Sequence, residues 1–264
     1  MTARARVVGR YFDEVAASYA GRYTDPGPAG HALAIRWQRI FELLGEAAGP
    51  ALDAGCGPGL LVAAFAERGL RAVGVDLSAR MAAEAARRGP AVVGTLDRLP
   101  FADAAFGVVV AAGAVEYVAD DRRALAELVR VLRPGGVVVA SFPNRFSPYR
   151  LWKNAVFYPL VDRLRPLVAR ARGRPTPLAV TAYHHHYTVG EVCETLGALG
   201  CAVEDVVFMN QQVVPSPLDE WLPSLSVALS RRLEPFGRAL AGRLGTAFLV
   251  RAVKRPAGLR GEMP

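Results

Sequence analysis

The sequence predicts an α/β fold built on a parallel sheet. Between residues 50 and 143 short apolar runs alternate with amphipathic stretches, the βαβα rhythm of parallel strands joined by crossover helices. The fourth run, FGVVVAAGAV (106–115), shows no polar alternation, as expected of a strand buried on both faces. A glycine-rich segment, LDAGCGPG (52–59), falls at the first strand-to-helix junction, where backbone N–H groups and a helix N-terminus face the carboxyl edge of the sheet. Of the 264 residues 52% are hydrophobic and 21% charged. A chain of this length hides roughly 70–75% of its unfolded surface and needs no staple.

Two helices precede the sheet: RYFDEVAASYAGR (10–22), and HALAIRWQRIFELLG (31–45), where Leu33, Trp37, Ile40, Phe41 and Leu44 recur at helical spacing. PALDAG is the first strand, LLVAAFAERG a helix closed by Gly69, and RAVGVDL the second strand. SARMAAEAARRG is a helix with Ser78 at its N-cap and Gly89 at its end. AVVGT is the third strand, DDRRALAELVRVL follows the fourth as a helix, and GGVVVASFP is the fifth strand. TVGEVCETLGALG then reads as helix, and AVEDVVFMN and TAFLVRAVKR as the last strands. Two insertions interrupt this half. One spans 144–187; the other, 211–245, contains Pro215, Pro217, Pro223 and Pro235 and is expected to lay short helices over the ligand edge. The expected organisation is one domain over 1–264, with cap helices in 1–45, a cofactor-binding core in 46–143, a substrate lid in 144–187 and the rest of the sheet in 188–255. Residues 256–264 read as a frayed tail.

Three widely spaced cysteines, Cys56, Cys193 and Cys201, signal neither a disulfide framework nor a zinc site. No apolar stretch reaches the roughly 18 residues of a membrane span, and the N-terminus lacks a secretory run, so a cytoplasmic, non-integral protein is expected. The net charge is +8, and its distribution is uneven: residues 145–174 hold eight basic side chains against Asp162.

The glycine loop narrows the cofactor. A dinucleotide fingerprint requires Gly-x-Gly-x-x-Gly, but after Gly55 and Gly57 the third position is Leu60. Asp53 would repel a diphosphate and attract an ammonium. Asp76, ending the second strand, can accept from both hydroxyls of a ribose. A cationic, phosphate-free nucleoside therefore fits better than NAD.

LDAGCGPG, VGVDLS, LPFADAAFGVVV and LRPGG, in this order across residues 45–142, resemble the class I S-adenosylmethionine-dependent methyltransferases, in particular the small-molecule, LPF-motif group similar to ubiquinone- and menaquinone-biosynthesis enzymes. The resemblance implies a Rossmann-like sheet of seven strands, parallel except for one, with S-adenosylmethionine across the carboxyl ends of the first and fourth strands. It places Asp53, Ala54, Gly55, Cys56 and Gly57 against the methionine moiety, Asp76 at the ribose, and Leu77 and Met81 at the adenine. The group's adenine-binding Asp is Thr95 here, with Leu96 and Asp97 beside it, and either Thr95 or Asp97 is expected to substitute. Ala112 joins the cofactor set from the fourth strand. Tyr19, with Tyr11 and Arg22, is expected to close over it, unless that helix is simply amphipathic.

For the acceptor, the segment AAGAVEY lacks the (Asn/Asp)-Pro-Pro-aromatic motif of base- and glutamine-modifying enzymes and any acidic ligand cluster, so neither nucleic acid nor a metal is expected. His184, His185 and His186 are the candidate general bases. A metal site is disfavoured because consecutive residues of an extended chain alternate sides, and a role shaping the pocket without proton exchange stays open. Glu116, Tyr117, Asn144 and Arg145 are candidate substrate contacts. The insertion interleaves Arg and Lys with Phe146, Tyr149, Trp152, Phe157 and Tyr158, and places Leu160, Leu164, Leu167 and Val168 opposite Arg163, Arg165 and Arg170 on a helix that Pro166 weakens. It looks like the membrane-touching insertion of polyprenyl-quinone O-methyltransferases; a lid whose arginines bind an acidic substrate is the alternative. The expected activity is methyl transfer to a hydroxyl of a hydrophobic small molecule, a specialised metabolite or prenylated phenol. A membrane-peripheral enzyme of quinone or lipid precursors and a non-methylating S-adenosylmethionine-binding protein are the alternatives. Nothing in the sequence assigns an oligomeric state.

Overall fold

The computed structural model describes residues 2–161, 163, 185–239 and 243–256. Strands β1 (Ala51–Ala54), β2 (Ala72–Asp76), β3 (Ala91–Val93), β4 (Phe106–Ala111), β5 (Leu132–Pro143), β6 (Cys201–Met209) and β7 (Ala247–Lys254) form one sheet in the order β3-β2-β1-β4-β5-β7-β6. β1 pairs in parallel with β2 and β4, Leu52 lying opposite Val73 and Val109. β7 is antiparallel to both neighbours, with Ala140 of β5 opposite Val250 and Val207 of β6 opposite Leu249. The sheet is thus Rossmann-like, with seven strands and one reversed. The chain works outward from β1 to β3, then restarts at β4 on the other side of β1. This reversal opens a crevice at the carboxyl ends of β1 and β4.

Helices α1 (Ala3–Tyr19), α2 (Pro28–Leu44), α3 (Leu60–Glu67), α4 (Ala79–Ala86), α5 (Asp121–Val131), α6 (Pro148–Trp152), α7 (Val189–Ala198), α8 (Leu218–Trp221) and α9 (Pro223–Leu233) complete the described structure. All six residues of β4 are buried, which explains its missing polar alternation. Successive side chains still diverge. Val108 and Val110 enter one layer with Ile40, Phe65 and Leu249, whereas Val109 and Ala111 enter the other with Leu128, Phe142, Leu196 and Phe248. Each such large side chain contributes about 1.5–3 kcal/mol on burial.

Several boundaries differ from the sequence reading for local reasons. The first helix begins at Ala3, where the Thr2 side chain accepts from Ala5 N–H and supplies an N-cap. β5 begins at Leu132 because Leu132 pairs with Phe106, and pairing resumes at Val137 with Val108. The intervening residues bulge, with Gly135 at φ +73°. The 144–187 insertion opens with α6 and a π-turn at Lys153–Phe157. Arg165, Arg170, Leu164, Leu167, Val168 and His184 lie outside the described residues. The second insertion folds as α8, α9 and a 3-10 turn at Glu234–Phe236, tied to the end of β6 by Phe208 N–H donating to Gly237 O at 2.9 Å. Among the described residues no helix is long and apolar enough to cross a membrane, and no group of His, Cys, Asp and Glu is placed to hold a metal ion.

Candidate functional site

The loop after β1 turns through left-handed glycines, Gly55 at φ +80° and Gly59 at φ +79°. A Cβ on Gly55 would collide with that of Ala114, and one on Gly59 would lie 2.7 Å from Ala85 Cα. The loop's amides are largely committed. Gly55 N–H and Cys56 N–H donate to Val75 O at 2.8 and 3.0 Å, Gly59 N–H donates to Cys56 O at 3.0 Å, and Gly57 N–H donates to Asp76 Oδ2 at 2.8 Å. Few donors are left to cradle a diphosphate, an exclusion that rests on geometry as well as glycine spacing.

Asp76, at the tip of β2, also accepts from Ser78 N–H through Oδ1 at 2.8 Å. Each carboxylate oxygen keeps a lone pair for a further donor. Burial raises its pKa, and the Ser78 and Gly57 amides oppose the rise. Asp53, 3% exposed, is pushed up to about 8 by burial and by the field of Asp76. Burial likewise raises the Cys56 thiol, so no thiolate nucleophile is present there.

A cavity lies over this edge. Gly55, Cys56, Gly57, Asp76, Leu77, Met81, Thr95, Leu96, Asp97, Ala112, Tyr19 and Tyr117 line it; Asp53 and Ala54 sit in the strand behind the loop. The remaining wall consists of residues the sequence reading missed: Thr2 at the N-cap of α1, Ala5, Val8 and Phe12 within it, Tyr23, and the turn around Gly113–Ala114 and Val118–Ala119. Tyr11 stacks edge-on against Phe12, and Arg22 lies over the Tyr19 ring, with neither in the wall.

Tertiary contacts hold α1 in place. Asp13 Oδ1 accepts from Ser78 Oγ at 2.6 Å and from Arg80 N–H at 3.1 Å, reinforcing the N-cap that Ser78 provides for α4. Ring contacts, edge-on except for the tilted Tyr19–Tyr23 pair, run from Tyr117 through Phe12, Tyr19, Tyr23, Trp37 and Phe41 to the buried Phe65, each worth about 0.5–1.5 kcal/mol beyond burial. A sequence signal existed only in the four-residue spacings of Tyr19 with Tyr23 and of Trp37 with Phe41. Arg36 of α2 approaches so near Gly113 that a Cβ there would overlap its Nη1, and its Nε has no hydrogen-bond partner.

On the acceptor side, Glu116 is buried with Oε2 unpartnered; burial raises its pKa against the opposing charges of Arg36 and Arg150. Arg150 donates through Nε to Thr246 O at 2.6 Å and borders two further cavities, each also lined by His186 and Asn154. His186 is held below the ordinary histidine range by burial and by the charges of Arg150 and Arg145. His185 is engaged on both nitrogens, with Arg4 Nη1 at 2.9 Å from Nε2 and Asp121 Oδ2 at 3.1 Å from Nδ1. Asn144, expected at the substrate, spends its side chain on backbone: Nδ2 donates to Arg243 O and Gly245 O, and Oδ1 accepts from Phe146 N–H. Arg145 pairs with Glu191 at 2.8 Å and donates to His186 O at the margin of the second cavity.

Residues 52–140 match the methyltransferase domain family. A demethylmenaquinone methyltransferase of Renibacterium salmoninarum is 34% identical over 149 residues, 53% of this chain and 61% of that protein. The chain spans about half the length of the curated relatives it matches. Among solved structures, an S-adenosylmethionine-dependent methyltransferase of Thermotoga maritima, described as a possible histamine N-methyltransferase, superposes with a TM-score of 0.60 at 21% identity, over 92% of this chain and 98% of that one. The 4+2 cyclase SpnF superposes with a TM-score of 0.57 at 17% identity, over 95% and 97% of the two chains. At these identities the likeness is one of fold.

Proposed function

We propose that this chain, whose residues 52–140 match the methyltransferase domain family, binds S-adenosylmethionine in the β1–β4 cavity and transfers the methyl group to a hydroxyl of a hydrophobic small molecule, a specialised metabolite or a prenylated phenol. The observation that carries the reading is Asp76, pinned by two amides with acceptor capacity to spare, beside a loop poor in free amides. The donor set suits a nucleoside without a diphosphate. Asp76 would take the ribose hydroxyls, Leu77 and Met81 the adenine faces, and Thr95 or Asp97 the adenine amino group. Arg36 would pair with the cofactor's carboxylate, and Asp53 would favour its ammonium through the field of its ionised form.

When bound, the cofactor supplies an electrophilic methyl group on a sulfonium. The protein's task is then to align the acceptor, exclude water and receive a proton. With His185 engaged on both sides, His186 is the described histidine free to take that proton. Its lowered pKa makes it a weaker base but keeps the ring unprotonated, and so able to accept a proton, below the ordinary histidine value of about 6.5.

A second reading, methylation of a quinone or lipid precursor at the bilayer, draws on the exposed Leu151, Trp152, Val156 and Leu160 beside Lys153 and Arg163. Vesicle binding that disappears in R163E would favour it, and indifference to vesicles containing anionic lipid would remove it.

The deciding experiment incubates the purified protein with methyl-labelled S-adenosylmethionine and a fractionated extract of its own cells, then locates the label by mass spectrometry. Label on an oxygen of an apolar metabolite is expected. Since a cyclase shares this fold, cofactor binding without transfer to any fraction would overturn the methylating role.

A further inference from the structure

We propose that Arg4 and His185 are positioning residues that latch α1 over the cofactor cavity and tie its closure to the neighbouring acceptor-side cavity, an inference that rests on the cofactor reading above. The first half of α1 contributes Ala5, Val8 and Phe12 to the cavity wall, so the cofactor is exposed or enclosed according to where α1 lies. Arg4, in the first turn of α1, crosses to the turn after β4. Its Nε–H donates to Tyr117 O at 3.0 Å, Nη2–H to Glu116 O at 3.0 Å, and Nη1–H to His185 Nε2 at 2.9 Å.

The third bond settles the tautomer. A guanidinium only donates, so Nε2 accepts and the ring proton sits on Nδ1, from which it is donated to Asp121 Oδ2 at 3.1 Å. His185 N–H also donates to Glu116 O at 3.2 Å, so the carbonyl that anchors Arg4 anchors the histidine backbone as well. A contiguous chain of bonds therefore joins α1, the 115–117 turn, the N-terminus of α5 and the segment entering α7. Its far end, His185 and Asp121, lines the second cavity. With no lone pair left on its ring, His185 acts through Arg4 and takes no proton from the acceptor.

A simple N-terminal tether would stabilise the fold but leave the cofactor's residence time unchanged; a latch changes the residence time. The test measures the Kd and release rate of S-adenosylhomocysteine, with Tm, for the full chain and for R4Q, H185A, H185Q and the R4Q/H185A double variant. R4Q should raise Kd about tenfold, mainly through faster release, and H185A about threefold, with the double variant no worse than R4Q because both cut one chain. H185Q, which keeps an acceptor for Arg4 and a donor for Asp121, should stay within about twofold of wild type. Arg4 and His185 lie outside the sheet, and D121N provides a further cut at the far end should H185A fold poorly. Kd values for R4Q and H185A within twofold of wild type, or effects that add fully, overturn the latch. A wild-type chain that does not bind S-adenosylhomocysteine overturns the cofactor reading itself, a distinguishable failure.

Discussion

The cofactor half of the molecule and the acceptor half hold their polar groups in opposite ways. Around β1 and β2, Asp76 is held by Gly57 and Ser78, and the loop amides return to Val75, all within about 20 positions of chain. Around the insertions, Arg150 is held by Thr246, Asn144 by Arg243 and Gly245, Tyr149 by Asp219, and His185 by Arg4 and Asp121. A short-range anchor forms with its strand and helix; a long-range anchor forms only once the whole sheet has closed. The glycine loop and the Asp76 anchor are thus properties of a local βαβ unit, whereas the α1 wall of the cofactor cavity and the acceptor site are properties of the complete fold.

Four variants can break or sharpen this contrast. Asp76→Ala should have the largest effect. It removes an ionised acceptor for two hydroxyls, each such bond being worth roughly 1.5–3 kcal/mol, so S-adenosylmethionine affinity by calorimetry should fall by two orders of magnitude or more. An affinity within tenfold of wild type would mean the ribose lies elsewhere. His186→Ala follows, with turnover lowered about 10²-fold, the lower end of general-base effects, and with cofactor Kd unchanged. Unchanged turnover would return the histidines to a shaping role.

Asn144→Ala tests the long-range anchoring itself. Three hydrogen bonds at about 0.5–1.5 kcal/mol each should be lost from stability, seen as a lower denaturation midpoint, while cofactor affinity survives. Loss of affinity in step with stability would join the two halves energetically.

A further test lies in pH dependence. Asp53, raised to about 8, is neutral through most of the physiological range, and a cationic cofactor favours its ionised form. Affinity should therefore rise with pH and level off near that value, and Asp53→Asn should flatten the profile. The sign for stability is the reverse. With the folded pKa above the unfolded one, the ligand-free protein should lose stability as pH rises from the ordinary carboxylate range, about 3.9, towards 8. A Tm independent of pH across that window would place Asp53 in a wetter site.

Much of the cofactor half was legible in advance because its signals are local. The glycine spacing, the Ser78 cap and the unbroken apolar run of β4 each reflect constraints within one or two elements. The misses share the opposite cause. Phe12 and Tyr23 face the cavity, and Arg36 reaches Gly113 at its edge, only because α1 and α2 fold back over the sheet, and nothing within α1 marks Asp13 as a partner for the cap of α4. The three adjacent histidines were indistinguishable as a string. Position separated the two that the structure describes, one engaged between Arg4 and Asp121 and the other beside Arg150.

Neighbouring residues carry the βαβ order, the buried parallel strands, the resemblance to methyltransferases and the acid at the second strand's tip, because backbone geometry and hydrophobic period are written at short range. Which strand runs backwards, what walls the cavity over β1 and β4 and which polar side chains are already satisfied emerge only on folding. Those outcomes depend on contacts spanning more than 100 positions of chain, such as Arg4 with His185 and Glu116, and no local pattern encodes a partner that distant.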